Sequence, residues 1–179
     1  DRRGKPSNTN SIHQRPKDVD QRSRYGDYEV DLIVGANHKG GLLTMNDRKT
    51  GKVKIRKIKS KNSKHIARLI VSALGGEKHR INTITSDNGR EFADHEYISK
   101  KLGITFYFAD PYSSWQRGSN ENLNGLIRQY FPKKTNFENI SKEEIKRVEN
   151  QLNNRPRKRF GFKSPIQEYN LLTKVAFAA

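Results

Sequence analysis

The sequence contains no cysteine, which excludes disulfide bonds and thiolate metal sites and is consistent with a reducing cytosol. Its five histidines show no H-x-x-x-H or similar pairing, so a zinc site is not expected. No apolar run approaches the roughly 18 residues that a membrane-spanning helix needs, and no signal peptide is recognisable. The sequence also lacks a G-x-S-x-G elbow, a P-loop and a G-x-G-x-x-G motif, which leaves the enzyme classes built on them without support.

Acidic side chains are scarce relative to basic ones. The chain has 19 Asp and Glu residues against 36 Lys and Arg residues, which gives a formal net charge of +17 at pH 7 and an isoelectric point near 10.1. An excess of this size favours a nucleic-acid partner over an ordinary basic surface. The length of 179 residues suits one domain with a substantial core and short appendages.

Composition divides the sequence into three parts. Residues 1–24 are rich in Arg, Lys, Asn and Ser and contain almost no apolar side chain, so we interpret them as a basic arm or linker that is extended at best. Residues 25–172 are expected to form the folded core, and residues 173–179 a short tail.

Hydrophobic periodicity predicts the order of elements in this core. Strands are expected at 28–34, 42–46, 52–58, 81–86 and 104–108. Helices are expected at 62–74, 94–102, 120–131, 141–153 and from Pro165 onwards. Three strands followed by helix, strand, helix, strand and further helices indicate an α/β fold with a mixed sheet flanked by helices.

Three acids occur where the pattern predicts ordered structure. Asp31 lies inside an apolar strand, Asp87 directly follows another strand, and Glu121 lies near the start of a helix. A carboxylate in such a place costs desolvation energy unless a cation meets it. Carboxylates are the ligands that Mg²⁺ and Mn²⁺ prefer, and two such ions about 4 Å apart support phosphodiester chemistry. In so basic a chain, these acids predict a metal-dependent catalytic site acting on nucleic acid.

The helix that carries Glu121 has two distinct faces. Its predicted buried stripe consists of Leu123, Leu126, Ile127 and Tyr130. Glu121 shares the other face with Asn124, Gly125 and Arg128. This arrangement is equally compatible with a solvated face whose acid is favoured by the helix dipole.

The other two acids also have ordinary explanations. Asp87 begins an Asp-Asn-Gly turn, in which an aspartate often only caps the strand. Asp31 is harder to explain in this way, because apolar residues surround it. We expect Glu29, on the same strand face as Asp31, and Asn88 to support the metal-binding carboxylates.

Basic and aromatic side chains predict the contacts with nucleic acid. Residues 52–64 hold seven Lys or Arg residues and no acid, and residues 153–163 form a second acid-free basic stretch. Both stretches are also compatible with a solubilising surface, and Trp115 with a buried core position. The expected contacts are Trp115, Gln116, Arg117, Asn120, Asn124, Arg128, Arg155, Arg157, Lys158 and Arg159.

Several of these segments together resemble a known family. Residues 28–31 (YEVD), 83–92 (TITSDNGREF), 114–128 (SWQRGSNENLNGLIR) and 152–157 (LNNRPR) resemble the DDE transposases of bacterial insertion sequences, in particular the family numbered thirty. Thirty-three residues lie between Asp87 and Glu121, the spacing that marks this group. The resemblance covers about residues 25–172, and one departure is Tyr28, where the family usually has tryptophan.

The resemblance implies a fold, a cofactor and a reaction. The fold would be ribonuclease H-like, with a mixed five-stranded sheet of three antiparallel and then two parallel strands flanked by helices. Asp31, Asp87 and Glu121 would bind two Mg²⁺ ions, for which Mn²⁺ substitutes. The reaction would be strand cleavage at transposon ends followed by attack of the 3′-hydroxyl on target DNA.

The resemblance also implies partners. An N-terminal helix-turn-helix region that reads the terminal repeats would precede this sequence in a longer protein. A homo-oligomer would assemble on DNA in the bacterial cytoplasm, at the nucleoid and without a membrane. The alternatives are a retroviral-type integrase or ribonuclease H nuclease, which the spacing disfavours, and a catalytically inactive domesticated DNA-binding module, against which the three intact acids count.

Overall fold

A mixed β-sheet forms the centre of the computed structural model, which describes residues 6–178 apart from the side chains at 114 and 175–178. Residues 1–5 of the expected arm and residue 179 of the expected tail lie outside the described residues. The strands are β1 (Asn10–Ser11), β2 (Asp27–Val34), β3 (Gly41–Asp47), β4 (Val53–Ile58), β5 (Thr83–Ser86) and β6 (Thr105–Phe108). Over residues 6–178 they form one six-stranded sheet in the order β1-β6-β5-β2-β3-β4.

The strand directions agree with the expected mixed sheet. β2, β3 and β4 pair antiparallel, whereas β5 pairs parallel with both β2 and β6. The turn between β3 and β4 is fixed by the buried Asp47, whose Oδ1 accepts hydrogen bonds of 2.7 Å from both the backbone N–H and the hydroxyl of Thr50. Gly51 completes this turn at φ +69°, a conformation that favours glycine. The predicted α/β class is thus confirmed.

The expected number of strands was wrong by one. The sixth strand, β1, pairs parallel with β6 and lies inside the segment interpreted as an extended arm. A short helix, α1 (Lys17–Asp20), follows it, and both Ile12 and Val19 are buried. Two polar residues that pair through their backbone leave no alternating apolar pattern, which is why periodicity did not predict this strand.

Five longer helices cover the two faces of the sheet. They are α2 (Ser63–Leu74), α3 (His95–Leu102), α4 (Gly118–Arg128), α5 (Lys142–Asn154) and α6 (Pro165–Ala178). α6 therefore continues through residues 173–178, which were expected to form a tail. Over residues 6–178, no helix combines the length and apolar character needed to cross a bilayer.

The alternation of β2 assigns its side chains to the two helical layers. Tyr28 and Val30 pack with α2 and α3 in one apolar cluster, and Ile33 packs with α4 and α5 in the other. Successive side chains of a strand point to opposite faces, so Glu29 and Asp31 share the face of Ile33. The two acids of β2 therefore face the layer that contains α4.

Glu77 connects three parts of the fold. Its carboxylate lies 3.4 Å from Nζ of Lys52 and 3.2 Å from Nζ of Lys54, and it accepts a hydrogen bond of 2.7 Å from the hydroxyl of Tyr169 on α6. Burial alone would raise the pKa of this carboxyl, but the hydroxyl and the two ammonium groups outweigh burial and lower the pKa to about 2.

We expect Glu77 to make the fold less stable as the pH falls from about 5 to about 2. Its pKa in the folded state lies below the ordinary 4.5, so its stabilisation is present above the unfolded pKa and is lost as the pH falls through the folded one. One such group contributes at most about 1.4 kcal/mol per pH unit to this slope. Urea denaturation at several pH values gives the free energy of unfolding as a function of pH. Its slope below pH 5 should be shallower for Glu77→Gln than for Glu138→Gln, a control that changes an exposed acid. Equal slopes would contradict the assignment.

Candidate active site at the carboxyl ends of the parallel strands

The sheet register brings Asp31 and Asp87 together. β2 and β5 are paired in parallel with Glu29 opposite Thr85. Asp31 follows Glu29 by two residues and Asp87 follows Thr85 by two, so both acids lie just beyond the last paired residues of the two strands. Carboxyl ends of parallel strands are the usual place for ligand sites in α/β sheets. Two acids that are 56 positions apart in sequence thus become neighbours at one edge of the site.

Arg117 lies between these two carboxylates. Its Nη1 is 3.5 Å from Oδ1 of Asp31, and its Nη2 is 3.4 Å from Oδ2 of Asp87. Arg117 is only 8% exposed, so one buried guanidinium balances both acids. The sequence predicted Arg117 as a DNA contact, which stays a prediction; in this structure its guanidinium is the counter-charge of the acidic pair.

Hydrogen bonds of ordinary length fix the orientation of both acids. Oδ1 of Asp31 accepts from the backbone N–H of Leu32 at 3.0 Å, and Oδ2 accepts from Nδ2 of Asn124 at 2.9 Å. Oδ1 of Asp87 accepts from the backbone N–H of Gly89 at 3.0 Å. Asn88 donates from its side chain to the carbonyl of Ala109, which ties the loop after β5 to the end of β6.

Glu121 lies on the first turn of α4 and is exposed. It is three residues before Asn124, so both lie on the helix face that meets Asp31. Among the described residues, however, no three acidic or histidine side chains are close enough to hold a metal ion together. Arg117 thus links Asp31 and Asp87, whereas Glu121 lies about one helical turn before Asn124, the residue of α4 that contacts Asp31.

Glu29 anchors the start of α4 to the sheet. It is fully buried and forms an ion pair with Arg48, and its Oε2 accepts a hydrogen bond of 3.1 Å from the backbone N–H of Asn120. The guanidinium of Arg48 also donates to the carbonyl of Val19 at 3.1 Å. A single buried carboxylate therefore positions both the helix that carries Glu121 and the segment that precedes β2.

Glu91 is an acid at this site that the sequence analysis did not single out. A Cβ atom placed on Gly89 would lie 2.6 Å from the carboxyl carbon of Glu91 and 2.9 Å from Oδ1 of Asp87, so these acids converge around Gly89. Burial raises the pKa of the Glu91 carboxyl, and the charges of Asp87 and Asp31 raise it further. Its place in the motif at 83–92, four residues after Asp87, was the available signal.

The loop before α4 is held at one point and exposed at others. Gln116 is committed to Asp110, whose backbone N–H and carboxylate it contacts at 2.8 Å each. Tyr112 and Trp115 are 101% and 71% exposed. The alternative that Trp115 fills the core is therefore wrong.

Other predicted DNA contacts fall into two groups. Asn120 is 1% exposed and donates to the carbonyl of Val30, and the guanidinium of Arg128 donates to the carbonyls of Val34, Phe131 and Pro132. In this structure both side chains stabilise the ends of α4, and Asn120 is inaccessible. Arg155, Lys158 and Arg159 are exposed, and Arg157 is half-buried.

Comparison with known proteins gives relatives over almost the whole chain. It is 51% identical over 171 residues to the transposase for insertion sequence element IS4351 of Bacteroides fragilis, which covers 94% of this chain and 52% of that protein. It is 40% identical over 161 residues to transposase InsI for insertion sequence element IS30C of Escherichia coli strain K12, with 88% and 41% covered. The chain therefore spans about half the length of the curated relatives it matches. No protein-family profile matches the chain.

A solved structure supports the fold independently. The catalytic core domain of BIV integrase matches with a TM-score of 0.60 and 19% identity, over 86% of this chain and 97% of that one. At that identity the likeness establishes the ribonuclease H-like fold alone. Over the residues matched, this chain therefore belongs with the transposases of IS30-family insertion sequences and has the fold of an integrase catalytic core.

Proposed function

We propose that this chain is the catalytic domain of a DDE transposase, which cleaves DNA strands at transposon ends and joins the 3′-hydroxyl to target DNA. The observation that carries the proposal is that Asp31 and Asp87 both approach the guanidinium of Arg117, just beyond the last paired residues of two parallel strands. α4 supports it, because Asn124 reaches Asp31 and Glu121 lies one turn earlier on the same helix.

The proposed metal ligands are Asp31, Asp87 and Glu121, with two Mg²⁺ or Mn²⁺ ions. The donor chemistry fits, since these cations prefer carboxylate oxygens and since Asp31 and Asp87 already share one cationic group, Arg117. When bound, such ions activate the attacking oxygen and offset the charge of the phosphate. The half-buried carboxyl of Glu91 adds negative charge beside Asp87, which further favours a cation there.

The surroundings of the acids support catalysis by preorganisation. Both oxygens of Asp31 already accept hydrogen bonds, one from the strand and one from α4, so this carboxylate is fixed before any substrate arrives. Asp87 is fixed by the turn at Gly89 in the same way. Acids held in advance need little reorganisation when charge develops on the reacting phosphate.

The exposed basic side chains give the proposed DNA its path. Arg155, Lys158 and Arg159 are exposed on the segment after α5, where they can contact phosphates without reading sequence. In the stretch 52–64, Lys52 and Lys54 are instead committed to Glu77. The later stretch is therefore the better candidate for holding DNA.

A strand-transfer assay tests this proposal. The chain would be incubated with labelled oligonucleotides that carry IS30-type ends and with a target duplex, and in parallel with a labelled RNA–DNA hybrid, in Mg²⁺, in Mn²⁺ and in EDTA. We expect nicked and joined products only with metal. Cleavage confined to the RNA strand of a hybrid would indicate a ribonuclease H instead, and DNA binding without products would favour an inactive binding module.

The remaining parts of the proposal concern assembly. We propose that a helix-turn-helix region outside this sequence reads the transposon ends, since the chain spans only about half of its relatives. We also propose that the protein works as a homo-oligomer on DNA in the bacterial cytoplasm. Fusion of the chain to such an end-binding region should increase strand transfer at low protein concentration, because tethering raises the effective concentration at the ends.

We expect Trp115→Ala to weaken DNA binding about 5- to 150-fold, the range for loss of one base–aromatic stack. Trp115 is 71% exposed, so its loss should barely change the thermal midpoint of unfolding. Fluorescence anisotropy with single-stranded and duplex oligonucleotides measures the first effect. Tyr97→Ala, which removes an exposed ring on α3, is the control. Equal affinities for Trp115→Ala and Tyr97→Ala would remove Trp115 from the DNA path.

A further inference from the structure

A polar cavity lies beside α4, and neither Asp31 nor Asp87 lines it. Its volume is about 250 Å³, and it is enclosed by α4, the turn between β3 and β4, and the segment after α5. Three arginines from two distant parts of the chain line it: Arg22 before β2, and Arg157 and Arg159 after α5. Ser119 and Asn122 contribute from the first turns of α4. The lining that the described residues provide contains no acid.

The arginines of this cavity are not in direct contact with a carboxylate among the described residues. Among the ion pairs of residues 6–178, no carboxylate partner occurs for Arg22, Arg157 or Arg159. Partial burial lowers the pKa of Arg159, the charges of Arg22 and Arg157 lower it further, and the charge of Asp47 only partly opposes them. Like charges held together in this way raise the energy of the fold unless an anion is bound between them.

Two further features fit an anion. Ser119 is only 8% exposed, and its buried hydroxyl has no hydrogen-bond partner among residues 6–178. A buried hydroxyl of this kind costs free energy unless a ligand or water satisfies it. Gly51, at φ +69°, also lines the cavity, and a Cβ atom there would lie 2.7 Å from Nη2 of Arg159. Glycine at this position therefore leaves room for the guanidinium.

The arginine cavity and the acidic pair lie on opposite faces of α4. Ser119, Asn122 and Leu126 line the cavity, whereas Asn124 reaches Asp31. At about 100° per residue these positions fall on opposite sides of the helix. A helix with its side chains is about 10–12 Å across. Measured along the axis of duplex DNA, at about 3.4 Å per nucleotide of one strand, this distance corresponds to about three nucleotides.

We propose that the arginine cavity binds a backbone phosphate of the DNA substrate. The phosphate that is cleaved lies at the acidic pair, a few nucleotides away in the same DNA. The inference rests on the proposed function and extends it, since it assigns α4 a position between two phosphates a few nucleotides apart. Arg22, Arg159 and the Ser119 hydroxyl are the groups that hold the phosphate in the arginine cavity.

The anion site can be tested without DNA. Arg22 and Arg159 form no side-chain hydrogen bond among the described residues, so the double variant Arg22→Ala/Arg159→Ala should fold. We expect sodium sulfate to raise the thermal midpoint of the wild type more than that of the double variant, relative to sodium chloride at equal ionic strength. Arg147→Ala, which removes an exposed arginine of α5, should respond like the wild type. Equal sulfate responses of all three proteins would overturn the anion site.

Ser119→Ala separates binding from folding. Removal of an unsatisfied buried hydroxyl should leave the thermal midpoint unchanged or raise it in sulfate-free buffer. The response to sulfate should nevertheless decrease. A lower midpoint with an unchanged sulfate response would assign Ser119 to packing and remove it from the site.

Measurements of DNA binding test whether the anion in the cavity is a backbone phosphate. Each lost phosphate contact reduces the salt slope by about 0.9, so between 50 and 200 mM salt the wild type should lose about three- to fourfold more affinity than Arg159→Ala. A single neutral methylphosphonate, moved along the oligonucleotide, should weaken the wild type at one position and leave Arg159→Ala unaffected there. That position should lie a few nucleotides from the cleavage site.

The outcomes separate the two proposals. Normal cleavage with unchanged salt slopes and no position specific to Arg159 would overturn the phosphate assignment and leave the transposase proposal intact. A sulfate response without any DNA binding by the wild type would establish an anion site whose ligand is not DNA, which overturns both. Loss of cleavage in Asp87→Asn with a normal sulfate response would show that the two sites act independently.

Discussion

Asp87→Asn is expected to abolish strand cleavage and strand transfer while leaving DNA affinity unchanged or slightly higher. The substitution removes one carboxylate from the pair that shares Arg117 and adds one unit to an already positive net charge. A catalytic metal provides several kcal/mol of transition-state stabilisation, so a loss of about a thousandfold or more is expected. Single-turnover cleavage with Mg²⁺ measures the rate, and anisotropy measures the affinity.

The control for this prediction is Glu138→Gln, which removes an exposed acid outside the site. It should cleave at the wild-type rate. Glu121→Gln is the informative companion, because Glu121 is not grouped with the other acids in this structure. A loss equal to that of Asp87→Asn would place Glu121 in the same metal site. Wild-type cleavage by Asp87→Asn would show that the acidic pair is structural.

Arg48→Met is expected to destabilise the fold by about 3–5 kcal/mol, the usual cost of removing one partner of a buried ion pair. Glu29 is fully buried, and among the described residues its carboxylate without Arg48 keeps only the N–H of Asn120 as a hydrogen-bond donor. Burial lowers the pKa of Arg48 to about 10, helped by the charges of Arg15 and Arg22, so its guanidinium remains charged at neutral pH. Urea denaturation monitored by circular dichroism gives the free energy of unfolding.

A double variant identifies the cause of this loss. Glu29→Gln/Arg48→Met removes both charges, so it should be more stable than Arg48→Met alone. Its activity should remain reduced, because Glu29 also positions the start of α4. If the double variant is no more stable than the single one, the loss comes from packing of the arginine chain and not from an unpaired charge.

The sequence predicted those parts of the molecule that periodicity and residue type control. The strands and the longer helices were expected close to their observed bounds, because apolar side chains repeat at the spacing of each element. Asp31 was predicted to be functional because an acid inside an apolar strand needs a partner. The prediction did not include its partners, Arg117 and Asn124, since their positions depend on how α4 packs against β2.

Other features depended on long-range contacts that no local pattern reveals. β1 consists of two polar residues, and only the backbone of β6 makes it a strand. Asn120 and Arg128 looked like DNA contacts because they are polar and occur in a distinctive motif, yet each bonds to backbone carbonyls around α4. The arginine cavity combines Arg22 with Arg157 and Arg159, more than 130 positions later in the sequence, so composition indicated its charge but not its shape.

The pairing of β2 with β5 has a consequence for how activity measurements are interpreted. A slip of one residue in β2 would turn Glu29 and Asp31 towards the apolar layer of α2 and α3, away from Arg48 and Arg117, and would move Ile33 out of its own layer. Such a misfolded molecule would be both unstable and inert. Specific activity should therefore report the fraction of molecules that folded in the native register, and refolding yield measured by activity should match the yield measured by spectroscopy.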